Sequence, residues 1–457
     1  MPHYDHADAS DEISKLSLLQ QCRKRAAEEE VPLRQIFDDV CRTSDGGGQH
    51  IAFAEIESSM YKRRRTAMPS LPTNPQTSDG AVASSRCACL GDSAFYRGQV
   101  EVGDSESALL FATDSQLNML RQATLIHIDS TFKVVPSLYY QLFTVLVPYV
   151  DYTFPVVFAL MERKTTALYK AVLEKVKELV PEFQPSQVIA DFEEAPTAAL
   201  CEVFGDQLTV SGCWFHYAQS LMKRLKKIGL TTAYQNEEDT QVVFRCLLAL
   251  PLLPVVDIVP GFQDVKSLVK PDSASQAQLS QLCRYVERQW ITKASIGAAR
   301  LSVRDNTSRT NNAVESFHAG LRRRIKVVHP NLFTFFGHLQ RTTADSDAEV
   351  GRLSRGMVIR RAKKRTNLTN DARIKACLNR FDNGGYTRIQ FLRAVSHSLG
   401  AHASFEDTEQ SDSDDSGDAD DVPTTSGNDA PSAAVQPPDL CEVCLVEERD
   451  ARHALTL

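Results

Sequence analysis

The chain has 457 residues, 42% hydrophobic and 24% charged, values typical of a soluble globular protein with room for two or three domains. No run of about 18 uncharged apolar residues occurs, which excludes a helical membrane span. Met1-Pro-His-Tyr-Asp-His6 lacks the apolar core of a signal peptide, and the eleven scattered cysteines read as reduced thiols, not a disulfide framework.

The formal net charge of −7 conceals two opposite regions. Glu406–Asp421 carries nine acids and no base, and the fifteen acids and two bases after Phe405 leave +6 on the rest. Basic residues gather at Lys62–Arg65, Lys223–Lys227, Arg322–Arg324 with Lys326, and Arg360–Arg365. A single charge run is as readily a solvated helix face, but four on one body suggest a polyanion track. The last also fits a nuclear localisation signal, which makes the nucleus the expected setting.

Taken in chain order, residues 1–66 read as a polar helical region and 67–104 as a Pro/Ser/Thr-rich linker. Three strands follow, at Leu125–Ile128, Leu138–Val150 and Phe154–Met161, with a turn at Asp151–Thr153 between the last two. Leu168, Val172, Leu173, Val176 and Leu179 place a helix over Thr166–Leu179, stopped by Pro181. Val188–Ala190 and Thr209–Cys213 are further strands, alternating with helices at Ala195–Phe204 and Phe215–Ile228. Three strands and then alternating helix and strand specify an α/β fold, a mixed sheet flanked by helices. The Leu- and Gln-rich stretch 231–305 reads as an all-α insertion, and 346–404 as a helical extension. Residues 405–438 form a disordered acidic linker. The turn at Phe381-Asp-Asn-Gly-Gly385 lacks the later acids of a calcium loop.

Three acids stand at the ends or starts of these elements: Asp129 after the first strand, Asp191 after the fourth, and Glu315 on a helix spanning Asn312–Ile325. Carboxylates at carboxyl strand ends suit a site for divalent metal, and Mg²⁺ needs only oxygen ligands and water. Each acid taken singly is equally a cap, a turn residue or a surface residue, with Glu193 and Glu194 as the nearest rival carboxylates and Asp151 and Asp305 as weaker ones.

The ordered stretches His127-Ile-Asp129-Ser-Thr-Phe-Lys133, Phe154–Met161, Ala190-Asp-Phe-Glu193, Gly212-Cys-Trp-Phe-His-Tyr-Ala-Gln219 and Arg309–His318 resemble the MULE transposase domain of the Mutator-like superfamily. The resemblance covers roughly 105–345 and implies an RNase H-like catalytic core interrupted by the helical insertion. It implies that Asp129, Asp191 and Glu315 form a DDE-type triad binding Mg²⁺ or Mn²⁺, and that Cys213 and His216 are the family's C-x-x-H motif. Trp290 falls where such insertions often carry a tryptophan. Expected partners are DNA, as element ends and target, and a second copy of the chain, with no membrane. Lys223, Arg224, Lys226, Lys227, Arg322, Arg323 and Arg324 are then the expected backbone contacts.

Three readings stay open for Cys213 and His216: a buried cysteine with a hydrogen-bonded histidine, a zinc site shared with the insertion, or a pair that shapes the active site. His318 reads as a satisfied helix histidine or a member of the metal shell. His3 and His6 resemble the tail of a FLYWCH-type finger, and Cys441 with Cys444, in 439–457, the opening of a RING finger. Neither closes a four-ligand Zn²⁺ site, so both read as partial modules. A non-enzymatic DNA-binding descendant, or a ubiquitin-ligase-like adaptor in a longer product, are the alternatives to a transposase.

Overall fold

The computed structural model describes residues 9–29, 31–44, 51–103, 106–132, 134–205, 207–304, 306, 312–325, 327–359 and 365–399. Within that set the side chains of 9, 10, 312–315 and 365–367 are excluded. His3, His6, Asp305, Lys326, residues 360–364, the acidic tail and Cys441 with Cys444 therefore lie outside the described residues.

Helices α1 (Ala9–Glu28), α2 (Leu33–Thr43) and α3 (Phe53–Thr66) close around a core of their own. Leu33, Ile36, Phe37 and Val40 recur at helical spacing and bury one stripe of α2 against Leu18, Cys22, Ile56 and Met60. The Arg64 guanidinium crosses from α3 to donate to the Glu29 carbonyl at 2.8 Å and the Val31 carbonyl at 2.6 Å, satisfying acceptors that the end of α1 leaves open.

The stretch expected as a linker is instead built into the fold. It forms the short helix α4 (Ser78–Ala83), the hairpin of β1 (Cys89–Leu90) and β2 (Ser93–Ala94), and strand β3 (Tyr96–Val102), the edge of the main sheet. Strand β4 (Glu106–Phe111) pairs with it, and α5 (Asp114–Arg121) follows under a Thr113–Gln116 capping box.

Strands β5 (Leu125–Thr131), β6 (Gln141–Tyr149) and β7 (Tyr152–Met161) then form an antiparallel meander. Tyr149 pairs with Tyr152, so the β6–β7 turn is the two residues Val150 and Asp151, one position earlier than expected. Val150 has φ 57°, the left-handed conformation such two-residue hairpins use. Helix α6 (Thr166–Leu179) has the predicted bounds, because the Thr165 hydroxyl caps Leu168 N and Pro181 lies just past its end. Strand β8 (Gln187–Ala190), α7 (Glu194–Phe204), β9 (Thr209–Gly212) and α8 (Trp214–Lys227) complete the alternation.

The seven-stranded mixed sheet has the order β3-β4-β7-β6-β5-β8-β9. Strand β6 runs against both its neighbours, while β8 and β9 are parallel to β5. Side-chain alternation splits the core between two faces. Ile126, Ile128, Val145, Ala159 and Val188 pack beneath α5, α6 and α7. Leu109, Leu142, Phe158 and Leu160 pack with Leu321, Phe335, Phe336 and Leu339 on the other face.

The insertion is helical among the described residues: α9 (Thr231–Asn236), α10 (Glu238–Ala249), α11 (Val255–Lys266), α12 (Gln276–Val286), a π-helical turn over Glu287–Ile291, and α13 (Gly297–Leu301). The chain returns to the sheet through α14 (Asn312–Ile325) and α15 (Leu332–Leu353). Helices α16 (Arg365–Asp382) and α17 (Arg388–Leu399) follow. Phe391, Leu392 and Val395 of α17 join Phe244, Leu247 and Phe262 of the insertion in one core. The residues read as a C-terminal extension thus complete that core. The Gly-rich turn lies between α16 and α17, with Gly384 at φ 71°.

Candidate active site

Strand pairing puts the first two acids side by side. His127 pairs with Ile189 across β5 and β8, and Ala190 pairs with Gly212 across β8 and β9. Carrying both registers just past the bonded pairs sets Asp129, Asp191 and Cys213 in one row across the carboxyl ends of three parallel strands. Asp129 is inside β5, which runs three residues further than its apolar stretch because Asp129, Ser130 and Thr131 still pair with β6. Ile126 and Ile128 turn into the α6–α7 core, so Asp129 faces the opposite side of the sheet.

Asp129 is held on three sides. Its Oδ1 accepts from Ser130 N at 2.9 Å, and Thr144 sits opposite on β6. Its Oδ2 lies 3.5 Å from Nδ1 of His318 on α14, with the two side chains 9% and 6% exposed. His318 is therefore a partner of a site carboxylate as well as a helix histidine. Glu315 sits three positions earlier on the same helix, about 4.5 Å along its axis. Its side chain lies outside the described residues.

Asp191 is held differently. Its Oδ1 accepts from Glu193 N at 3.1 Å, an Asx turn leading into α7. Behind it, the Arg300 guanidinium donates from Nη2 to the Asp191 carbonyl at 2.7 Å and the Glu193 carbonyl at 3.3 Å, and from Nη1 to the Ser295 carbonyl at 3.0 Å. Arg300 is buried; burial pushes its pKa down and the nearby Asp191 opposes that shift. Between them, the Phe192 ring lies under Arg300 and packs edge-on against Trp290 at 4.6 Å, and Trp290 meets Tyr217 of α8 at 5.0 Å. Gly212 is required by this packing, since a Cβ there would stand 2.2 Å from the Phe192 ring.

The rival carboxylates are engaged elsewhere. Glu193 is 4.0 Å from Lys164, and Glu194 is 3.5 Å from Lys293. A hydrogen bond from Ser295, followed by the charge of Lys293, holds the Glu194 carboxyl below its usual range. Asp151 is exposed in the β6–β7 turn, at the opposite end of the sheet from the Asp129–Asp191 row.

Cys213 is buried at the N-cap of α8, and His216 occupies the first turn of that helix. Burial pushes the His216 imidazole down, Asp191 pulls it back up, and Lys223 pushes it down again, which puts all three groups within electrostatic reach. Among the described residues, no three His, Cys, Asp or Glu side chains are grouped as a metal-ligand set. Lys226 and Lys227 are exposed at the far end of α8, and Arg224 lies over the Tyr285 ring. On α14, Arg322 is half-buried, Arg323 is exposed, and Arg324 is exposed and pairs with Asp345.

Arg300 escaped the sequence reading. Its signal is an arginine inside the small and apolar run Ala298-Ala-Arg300-Leu-Ser-Val303. An arginine in such a setting is buried only when its donors are occupied.

Comparison with curated proteins finds no match. Among solved structures, a Drosophila P element transposase in a strand transfer complex aligns at 12% identity, covering 63% of this chain and 81% of that one, with a TM-score of 0.22. The family model of the MULE transposase domain matches residues 125–220, from the first residue of β5 into the middle of α8. The segment that carries Asp129, Asp191, Cys213 and His216 is therefore the part of the chain that matches the MULE transposase domain.

Proposed function

We propose that the chain is a DDE-type DNA transposase of the Mutator-like class, cleaving and joining DNA strands with Mg²⁺ or Mn²⁺. The observation that carries the reading is the row that Asp129 and Asp191 share across adjacent parallel strands, with His318 of α14 against Asp129. Counted from β5, five strands lie in the order 3-2-1-4-5 with only the second reversed. That pattern supports an RNase H-like core.

The donor set fits a hard divalent ion. Two carboxylates in one row, Asp129 on β5 and Asp191 just past β8, with a third acid carried on α14 three residues before His318, are the oxygen ligands such an ion takes. When bound, such ions polarise a phosphoryl oxygen and lower the pKa of bound water. Asp129 and Asp191 would hold them, with Glu315 as the third ligand. His318 orients the Asp129 carboxylate, and Arg300 fixes the backbone from which Asp191 projects. Lys223, Lys226, Lys227 and Arg322–Arg324 would meet DNA phosphates, giving affinity without sequence preference.

Nicking of supercoiled plasmid by the purified chain tests the reading. The expected result is Mg²⁺-dependent nicking by wild type and none by Asp129→Asn or Asp191→Asn, with DNA binding retained by all three. Nicking by both variants at the wild-type rate would reject it.

A further inference from the structure

A second charged feature lies outside the carboxylate site. A groove of about 1050 Å³ runs between the end of α3 and the helices α14 and α15. Four arginines line it: Arg64 and Arg65 from α3, Arg324 from α14, and Arg341 from α15. No acid is among the described residues of its lining, although Asp345 pairs with Arg324 from one side. The rim is apolar and aromatic, with Tyr61 65% and Leu71 53% exposed.

Two of the cations are held by carbonyls. Arg64 is pinned by the carbonyls at the end of α1, and Arg341 donates to the Gly337 carbonyl at 3.1 Å. His338 lies on the groove wall. Burial, and after it Arg341 and Arg324, push that imidazole down to about 4.

A groove combining a row of arginines with an exposed aromatic ring suits a flexible strand, whose phosphates meet the cations while a base stacks on the ring. A duplex keeps its bases stacked inside and offers Tyr61 and Leu71 nothing. Helix α14 connects the two features, since Arg324 is six residues beyond His318, about 9 Å along the axis. A strand leaving the Asp129 end of α14 would reach the groove within a few nucleotides.

We infer that the groove between α3 and α14–α15 is a binding site for single-stranded DNA, receiving the strand that leaves the carboxylate site. Its placement in the reaction rests on the transposase reading; its affinity for a single strand does not.

Fluorescence anisotropy with the full chain, a labelled oligothymidylate and EDTA tests the site without catalysis. Tyr61→Ala should weaken binding about tenfold through the lost stacking contact. Arg65→Ala should weaken it about threefold and flatten the salt dependence by about 0.7 in log–log slope. Lys375→Ala, on α16 and outside the groove, should change neither, and a duplex should lose less affinity than the single strand in every groove variant. Binding by the Tyr61 and Arg65 variants equal to wild type would overturn the inference, even if Asp129-dependent nicking is observed. Displacement of the oligonucleotide by polyglutamate at equal charge concentration would also overturn it, by pointing to an acidic protein segment instead. Loss of nicking activity alone would reject the transposase reading and leave the groove measurement standing.

Discussion

The two aspartates sit in one row yet are held by opposite means. Asp129 lies within a strand whose neighbours pair on both sides, and the side chain facing it, His318, belongs to a helix packed on the sheet. Asp191 lies one residue past its strand, in a loop gripped from the insertion by Arg300, Trp290 and Lys293. A backbone ladder secures the first, and side chains about a hundred residues away in sequence secure the second. The insertion thus supports the candidate site, since the Asp191 loop otherwise has its own Asx turn and the Glu193–Lys164 contact.

The largest effect should come from the carboxylates themselves. Asp129→Asn and Asp191→Asn should each slow nicking by roughly 1000-fold or more, equivalent to about 4 kcal/mol of barrier. Equal losses would show that the two supports end in one shared site.

The next effect separates the halves. Trp290→Ala removes the ring between Phe192 and Tyr217 and should cost about 3–5 kcal/mol in urea unfolding. Hydrogen exchange should accelerate at Phe192 and Glu193 while Ile128 and Asp129 stay protected. Equal acceleration at both would break the distinction between ladder and insertion.

Arg300→Gln should be milder, leaving three carbonyls with fewer donors at a cost of about 1–3 kcal/mol. The Mg²⁺ concentration needed for half-maximal nicking should rise, with a smaller change in the rate at saturation. A variant that unfolds earlier but keeps its Mg²⁺ requirement would reduce Arg300 to a structural residue.

Acid should also act unevenly. His216 titrates below its ordinary 6.5 in the fold, so the unfolded chain binds its proton first as pH falls. Its effect on stability is absent above that value and becomes a loss as pH drops through the range below it. His216→Gln should therefore show a shallower decline in urea midpoint below pH 6.5 than wild type. Parallel curves would contradict the burial argument. The smallest effect belongs to Lys226→Ala and Lys227→Ala, each expected to weaken duplex binding a few-fold and reduce the salt slope by about 1.

The sequence carried the central alternation closely. Helix α6 was legible to the residue because Thr165 and Pro181 bound a regular apolar stripe, and α14 because its start and periodicity agree. Strands β8 and β9 are short runs that end one residue before Asp191 and Cys213, so the places of those two residues in the row followed from register. The edge strand β3 was hidden, since Arg97, Gln99 and Glu101 give it the polarity of a linker. Its reason to be a strand is the partner β4, which local composition does not announce. The grip of Arg300 and Trp290 on the Asp191 loop was equally hidden. Those contacts span about a hundred residues and depend on where the insertion docks.

Where divalent metal binds is the most direct test of the Asp129–Asp191 row. Mn²⁺ titration of the full chain, followed by electron paramagnetic resonance, should show binding that Asp129→Asn and Asp191→Asn each weaken at least tenfold. Glu193→Gln and Glu194→Gln, whose carboxylates face lysines, should leave it within about twofold. Unaltered Mn²⁺ binding in both aspartate variants, or its loss in the glutamate variants instead, would contradict the assignment of the row as the metal site.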